Sequence, residues 1–362
     1  MSASDAALSR LMLDGGRPEF KQAEQTWRTD LAPALEEMEL ERKQTIRDAT
    51  QKTTRNGAVL LFVAFLVLFA TRGAGMTMVI IGAIVVGGLW SSMAWVPLLR
   101  TKAQTKQLIV GAAAEAFGFR YNTLHPDLSG ISDWRSAGQW LKLGKGQSIG
   151  NLKFGASEDE PPTPAFDVLK AAKLLPSYDD RKFEDLIEGQ RAGAVFSLVE
   201  CKLTEQQGSG KNRRTVTKFQ GLLFHIAYPE RFLGRTLIAR QGWWKGFFGD
   251  SSLDKVDMVS KELEDAFTIY SNDQVEARAL LTPDRMERLI ALERHFSGGK
   301  LRGIFEGDHL TLALEAKDQF EAGSIWKSLV DSGRYVTALE EMGSVCDVID
   351  GFLTREWVRD KL

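Results

Sequence analysis

Gly57-Ala-Val-Leu-Leu-Phe-Val-Ala-Phe-Leu-Val-Leu-Phe-Ala70 is an unbroken run of glycine and apolar residues that decides how the rest of the chain is arranged. Thr71-Arg72-Gly73 interrupts it, and a second, mostly apolar run covers residues 74–99. A helix needs about 20 residues to cross a hydrocarbon core of about 30 Å. The second run is long enough, and the first becomes so if Arg55 and Arg72 extend their charged ends to opposite interfaces.

This pattern predicts a two-helix transmembrane hairpin, with spans at residues 57–71 and 74–99, because backbone polar groups in lipid must be satisfied within each helix. The alternative is a pair of helices buried in the core of a large soluble protein. In the second helix, Ala83, Gly87 and Ser91 recur at every fourth position. This spacing either favours close packing against a neighbouring helix or reflects the ordinary composition of membrane helices.

The charges that flank the hairpin predict its orientation. Lys52 and Arg55 precede the first span, three basic residues lie between positions 100 and 106, and Arg72 is the one charge in the turn. Because basic residues accumulate on the cytoplasmic side, we expect both termini and the main domain in the cytoplasm and the turn outside.

The composition argues against several classes of function. Lys and Arg number 46 and Asp and Glu 48, so the net charge is −2 and offers no electrostatic footprint for nucleic acid. Cys201 and Cys346 are far apart, and the four histidines are scattered without ligand spacing. We therefore predict no metal, no cofactor and no catalytic residue, and the partners expected are the lipid bilayer and another membrane or cytoplasmic protein.

Four units are predicted along the chain: a cytoplasmic helical segment (1–56), the hairpin (57–99), a helix with a linker (100–164) and a soluble domain (165–362). The first and third units carry apolar residues in a 3-4 rhythm, which Arg42 breaks in the first and Lys106 enters in the third. The two helices either pack together as an antiparallel stalk or pack separately on the soluble domain.

The soluble domain is predicted to be α+β. Strand patterns at residues 194–203 and 216–227 flank a polar turn, and further strands follow at 235–239, 266–270, 300–305 and 310–314. Thr282-Pro283 is typical of a helix start, and a closing helix is expected over residues 336–357. Strands followed by helices in this order predict a mainly antiparallel sheet with C-terminal helices.

One tract resembles a known family. Phe267-Thr-Ile-Tyr-Ser-Asn-Asp-Gln-Val-Glu-Ala-Arg-Ala-Leu-Leu-Thr-Pro-Asp-Arg-Met-Glu-Arg-Leu289 is similar to the signature of an uncharacterised bacterial membrane family, the domain of unknown function 3137. Residues 219–224 and 234–237 resemble the strands that precede it in that family. The resemblance implies a multi-pass protein of the bacterial inner membrane with a soluble C-terminal domain, and it supplies no activity.

Within that tract, Asp273, Glu276 and Arg278 are a candidate site for a partner or ligand, at a polar turn between a strand and a helix. The alternative is that these residues only fix the strand-to-helix corner, and we favour it because alternate positions do not share a helix face.

A second candidate surface is the aromatic loop around Lys245, in which large apolar side chains are bracketed by glycines. One interpretation is that the loop fills the core beside the sheet. The other is that it contacts the inner leaflet of the membrane, where aromatic and basic residues are favoured. The candidate membrane-contact residues are Trp243, Trp244, Lys245, Phe247 and Phe248.

Two classes of function remain open from sequence. The first is a membrane-anchored binding or scaffold module that presents a cytoplasmic α+β domain. The second is a membrane-anchored enzyme with an unrecognised active site. We favour the first, because the sequence contains no recognisable catalytic constellation.

Overall fold

A computed structural model describes residues 8, 17–70, 81–82, 85–88, 92–123, 148–149, 152–153, 164–208, 212–240, 252–258, 261–296, 300–321 and 323–353.

Two long helices lead into and out of the predicted hairpin. The chain passes through a 3-10 turn (Pro18–Gln22), a single α-turn (Ala23–Thr26) and a π turn (Trp27–Leu31) directly into helix α1, Ala32–Ala70. Helix α2, Val96–Ala116, has Pro97 in its first turn, where a missing N–H does no harm. Gly118, two residues after the end of the helix, has a positive φ of 73°.

The centre of the fold is a nine-stranded sheet in the order β1-β4-β5-β6-β11-β10-β7-β9-β8, and every pairing in it is antiparallel. A separate two-stranded ribbon is formed by β2 and β3. The strands are β1 Arg120–Thr123, β2 Ser148–Ile149, β3 Leu152–Lys153, β4 Asp180–Arg191, β5 Ala194–Gln207, β6 Arg214–Ala227, β7 Thr236–Arg240, β8 Asp254–Lys255, β9 Phe267–Ser271, β10 Leu301–Glu306 and β11 His309–Glu315.

Five further helices complete the described structure: α3 Pro164–Ala171, α4 Lys261–Ala266, α5 Gln274–Leu280, α6 Pro283–His295 and α7 Ser332–Leu353. Thr282 caps α6 as predicted, because its side chain accepts a hydrogen bond from the Arg285 N–H at 3.4 Å. The α+β class, the mainly antiparallel sheet and the C-terminal helices are thus confirmed. Strand β4 was not predicted from the sequence.

Each face of the sheet supports its own apolar core. On one face, residues of α1 and α2 such as Leu35 and Val110 share a core with Leu312 of the sheet and Leu339 of α7. On the other face, α3 places Phe166 against a smaller core. Helix α2 packs on α7 and β1 as well as on α1. The N-terminal half of α1 and the C-terminal half of α2, which we call the lower halves of these helices, are therefore part of the domain.

The C-terminal half of α1, its upper half, is different, because its apolar side chains are exposed. Between Val59 and Phe69 the exposed large side chains include Leu61, Phe62 and Phe65. The second predicted span is helical at 81–82 and 85–88, and a Cβ at Gly87 would lie 2.8 Å from Leu60 Cδ1, so the two helices approach closely there.

Among the described residues, no helix combines the length and the apolar character needed to cross a bilayer. The predicted turn at residues 71–73, residues 74–80, and the positions of Ala83 and Ser91 lie outside the described residues. The two spans therefore stay a prediction.

Candidate functional site

A β-bulge gathers three carboxylates on the sheet beneath α2. The register of β4 against β5 shifts between Phe183 and Leu186, so that Glu184 and Asp185 together lie opposite Glu200. A bulge inserts an extra residue into one strand and redirects the side chains around it. Here it places charged side chains in the interior between the sheet and the helices.

Asp185 is the centre of a buried hydrogen-bond network. Its carboxylate accepts one bond from Lys106 Nζ and one from the Tyr121 hydroxyl, both at 2.7 Å. Lys106 and Asp185 are both about 1 % exposed. Although burial alone would lower the pKa of Lys106, the negative charges of Asp185 and Glu321 raise it above its usual value. The amine is therefore charged, and it fixes α2 to the sheet.

Glu200 is held in its neutral form beside this pair. Burial, followed by the negative charge of Asp185, raises the pKa of Glu200 to about 10. One of its oxygens accepts a hydrogen bond from the Gln319 N–H at 3.2 Å. The other is buried and receives no hydrogen bond among the described residues. A protonated Glu200 resolves this, because its hydroxyl can donate to Asp185. We call Lys106, Tyr121, Asp185, Glu200 and Glu321 the Asp185 network.

A group of three carboxylates lies beside the network and shares Glu321 with it. Oxygens of Glu184, Asp318 and Glu321 lie within 4.8 Å of one another, and carboxylates are the ligands that divalent cations such as Ca²⁺ prefer. Glu184 already pairs with Lys182 at 2.5 Å, and Glu321 pairs with Lys102 at 3.0 Å. Lysine amines therefore already balance two of the three charges.

A cavity of about 520 Å³ opens next to the network. It lies between the N-terminal segment, the end of α6, residues 317–319 and one face of α7. Burial raises the pKa of Glu341 in its wall to about 7, and the carboxylate accepts the Phe320 N–H at 2.9 Å. The lining residues are Arg17, Phe20, His295, Phe296, Lys317, Gln319, Thr337, Glu340, Glu341, Gly343, Ser344 and Asp347.

His295 and Ser344 form the one pair in this lining that resembles a base and a nucleophile. His295 Nε2 lies 2.7 Å from Ser344 Oγ. The serine hydroxyl, however, donates its proton to the Glu340 carbonyl at 3.0 Å, so the histidine must donate in the other bond. A histidine that donates to serine cannot accept its proton, and this arrangement does not activate Ser344.

One family model matches part of the chain. The model of the family described as "Protein of unknown function (DUF3137)" matches residues 217–353. Residues 217–353 are similar to that family, and we call them the DUF3137 segment. The match confirms the resemblance seen at residues 267–289. No curated protein matches the chain.

A solved structure similar to this chain is the crystal structure of the mycobacterial trehalose monomycolate transport factor A, TtfA. The two chains are 9 % identical, and the alignment covers 70 % of this chain and 97 % of that chain with a TM-score of 0.30. A TM-score this low does not establish a shared fold.

The DUF3137 segment contributes only part of the site. It provides Glu321, Glu341 and most of the cavity lining. Lys106 and Asp185 come from earlier in the chain, outside the matched segment. The site is therefore formed jointly by the DUF3137 segment, the N-terminal segment, helix α2 and strands that precede residue 217.

The predicted turn in the DUF3137 segment is occupied by local contacts. Asp273 caps α5 by accepting the N–H groups of residues 275 and 276. Glu276 accepts the N–H groups of Leu233 and Gly234, both at 2.8 Å. Arg278 bonds to Gln274 Oε1 at 3.2 Å. These contacts hold the strand-to-helix corner, and a partner site at this turn stays a prediction.

The predicted membrane-contact residues of the aromatic loop, Trp243, Trp244, Lys245, Phe247 and Phe248, lie outside the described residues. Their role stays a prediction.

One feature of the sequence indicates a buried ion pair at the Asp185 network. Lys106 occupies an apolar position in the 3-4 rhythm of α2, and a lysine at such a position must be buried with a partner. Its partner Asp185 is 79 residues away on a strand that sequence pattern did not reveal.

Proposed function

We propose that this protein is a membrane-anchored binding or scaffold module whose α+β domain is held at the bilayer surface by α1. The observation that carries the proposal is the exposed apolar surface of α1 between Val59 and Phe69. No charged residue lies between positions 56 and 70. A helix that is apolar on every side is typical of a protein interior or a membrane.

The lower half of α1 supports this proposal because it is fixed rigidly to the domain. Arg42 forms a two-pronged pair with Glu39, at 2.9 and 2.7 Å, and both side chains are buried. Arg42 also donates to the Ile325 carbonyl at 2.6 Å, and Glu39 accepts the Leu329 N–H at 3.1 Å. An anchor in the membrane would therefore set the orientation of the whole domain.

The cavity beside the Asp185 network is the surface we assign to a protein partner. Lys317 lies exposed at its edge, and Phe20 and Phe296 supply apolar walls. A mixture of apolar walls and a few polar groups is typical of binding sites. The donor role of His295 toward Ser344 favours binding over catalysis at this place.

The anchor is tested by replacing exposed apolar residues with lysine. A lysine at the centre of a transmembrane helix costs about 2.5–3.5 kcal/mol of insertion free energy. Phe62→Lys with Phe65→Lys should therefore abolish flotation with vesicles and resistance to alkaline extraction. Leu40→Lys is the matched control, because Leu40 lies on the same helix and is, like Phe62, 62 % exposed. Equal flotation of both variants would refute the anchor.

The binding surface is tested by photo-crosslinking. A photoreactive residue at the exposed Thr337 should capture one discrete protein in native membranes, and Lys317→Glu should abolish the product. The same probe at exposed Leu233 is the control. A product that is unchanged by Lys317→Glu would argue against the cavity as the partner surface.

We also infer a location at the bacterial inner membrane with both ends in the cytoplasm, on the basis of the flanking basic residues. Reporter fusions at Leu362 and near Asp14 should be active only in the cytoplasm. Activity of the Leu362 fusion only outside the cytoplasm would contradict this orientation.

A further inference from the structure

A loop at residues 323–331 is fixed to α1 and presents a tryptophan to solvent. The two ends of a tight turn, the Ile325 carbonyl and the Leu329 N–H, bind Arg42 and Glu39. Between them, Trp326 is 63 % exposed, and residues 327 and 328 are exposed as well. A large aromatic side chain left so exposed on a fixed loop indicates a surface that binds something apolar.

The position of Trp326 relative to the apolar part of α1 indicates that the apolar partner is the lipid bilayer. Its ring centroid lies 5.6 Å from that of Trp95, and Trp95 Nε1 donates to Thr53 Oγ1 at 3.2 Å. Thr53 precedes Gly57, where the apolar run begins, by about 6 Å along the helix axis. The headgroup layer of a bilayer is about 5–8 Å thick on each side. The two tryptophans therefore lie at the depth of the headgroups, where tryptophan is enriched.

The charges around the tryptophan pair are complementary to anionic lipid. Lys52 and Arg55 are exposed on α1 at this level, and Lys327 follows Trp326 on the loop. The preceding acidic residue of α1, Asp48, lies farther from the apolar run. Basic residues next to a membrane segment are attracted to anionic headgroups.

We propose that Trp326 and Lys327, together with Trp95, Lys52 and Arg55, bind the anionic phospholipid headgroups of the bilayer in which α1 is anchored. This inference rests on the proposed membrane anchor and adds a second, lateral contact. The loop at 323–331 holds one side of the domain against the membrane surface, so the domain does not swing freely on the hairpin.

Fluorescent labelling of the full chain tests this contact. Cys201 and Cys346 are both buried, so a label attaches selectively to an introduced exposed cysteine. Ser328→Cys places it at the tip of the loop. Val195→Cys is the control, because Val195 is also exposed but lies beside the β4–β5 turn. At that turn Arg191 pairs with Glu19, near the start of the helical segment and far along the chain from the apolar part of α1. In phosphatidylcholine–phosphatidylglycerol vesicles with a nitroxide on the headgroup, fluorescence at position 328 should be lost and fluorescence at 195 retained.

Two further measurements make the result decisive. Adding Trp326→Ala and Lys327→Glu should reduce quenching at position 328 to the level at 195; unchanged quenching would overturn the role of these residues. Phe65→Cys, with a nitroxide on the acyl chain, reports the anchor itself. Quenching at 65 without quenching at 328 would overturn this inference and leave the anchor intact. No quenching at either position would refute both.

Discussion

Replacement of Arg42 by methionine tests how strongly the domain is held to α1. Arg42 is buried, and its guanidinium binds both oxygens of Glu39 as well as the Ile325 carbonyl. The hydrogen bonds from Arg42 are the main reason why the pKa of Glu39 falls from 4.5 to about 2. A fall of that size corresponds to about 3 kcal/mol of preference for the ionised carboxylate in the folded state.

We therefore expect Arg42→Met to lower the free energy of unfolding at pH 7 by about 3 kcal/mol, in line with the 3–5 kcal/mol cost of breaking other buried ion pairs. Because the pKa of Glu39 is depressed in the folded state, its contribution is complete above pH 4.5 and is lost as the pH falls toward 2. The difference between wild type and variant should shrink over the same interval. Urea denaturation of the detergent-solubilised chain between pH 3 and pH 7 measures both quantities.

Two controls separate the ion pair from a general effect of charge. Arg28→Met removes an exposed partner of Glu24 from the same helical segment, and such pairs contribute about 0–1 kcal/mol. Glu39→Met combined with Arg42→Met leaves no unpaired buried charge and should be more stable than Arg42→Met alone. If Arg42→Met and Arg28→Met cost the same, the reasoning is refuted.

Three further predictions follow from the interior of the domain. Because burial raises the pKa of Glu341 to about 7, the folded state binds its proton more tightly than the unfolded state, so stability should fall by up to about 3 kcal/mol between pH 4.5 and 7. In urea denaturation, Glu341→Gln should remove that part of the pH dependence, and an unchanged pH profile would contradict it. Lys106→Met leaves Asp185 buried without its partner amine and should lower the free energy of unfolding by about 3–5 kcal/mol. Asp185→Leu in the same chain should restore part of that loss. Full stability of the single variant in denaturant would show that the pair contributes nothing. Gly221→Ala would place a Cβ 2.1 Å from a backbone carbonyl of β11 and should prevent folding, whereas Gly351→Ala meets nothing within 4 Å and should leave the circular dichroism spectrum unchanged.

The strands that could be predicted from sequence are those whose hydrophobic pattern is strong. Strands β5, β6, β7, β9, β10 and β11 all lie within a few residues of their predicted positions, because buried residues of the sheet core read as apolar runs bounded by turn residues. Strand β4 could not be predicted, because Asp-Arg-Lys-Phe-Glu-Asp at residues 180–185 looks like a solvated segment. Its buried carboxylate, Asp185, is stabilised in the interior by Lys106 and Tyr121, which are distant in sequence.

Charged residues within apolar patterns indicate buried ion pairs, but the sequence alone does not identify both partners. Arg42 and Lys106 each occupy a position at which the helix faces the interior, and each is fully paired there. A single sequence shows that such a charge needs a partner but not which carboxylate supplies it. The Glu39 partner is one helical turn away, whereas Asp185 is brought to Lys106 only by the fold.

The continuity of α1 has a mechanical consequence. It is a single helix of 39 residues with no break between the part buried in the domain and the part that is apolar on all sides. From Ala32 to Thr53 it forms an arm of about 32 Å. When a bilayer changes thickness, an anchored helix adjusts its tilt, and a change of about 10° would displace the end of this arm by about 5.5 Å. Because the domain is rigidly joined to the arm, the anchor proposed above would make the distance between the cavity and the membrane surface depend on local bilayer thickness.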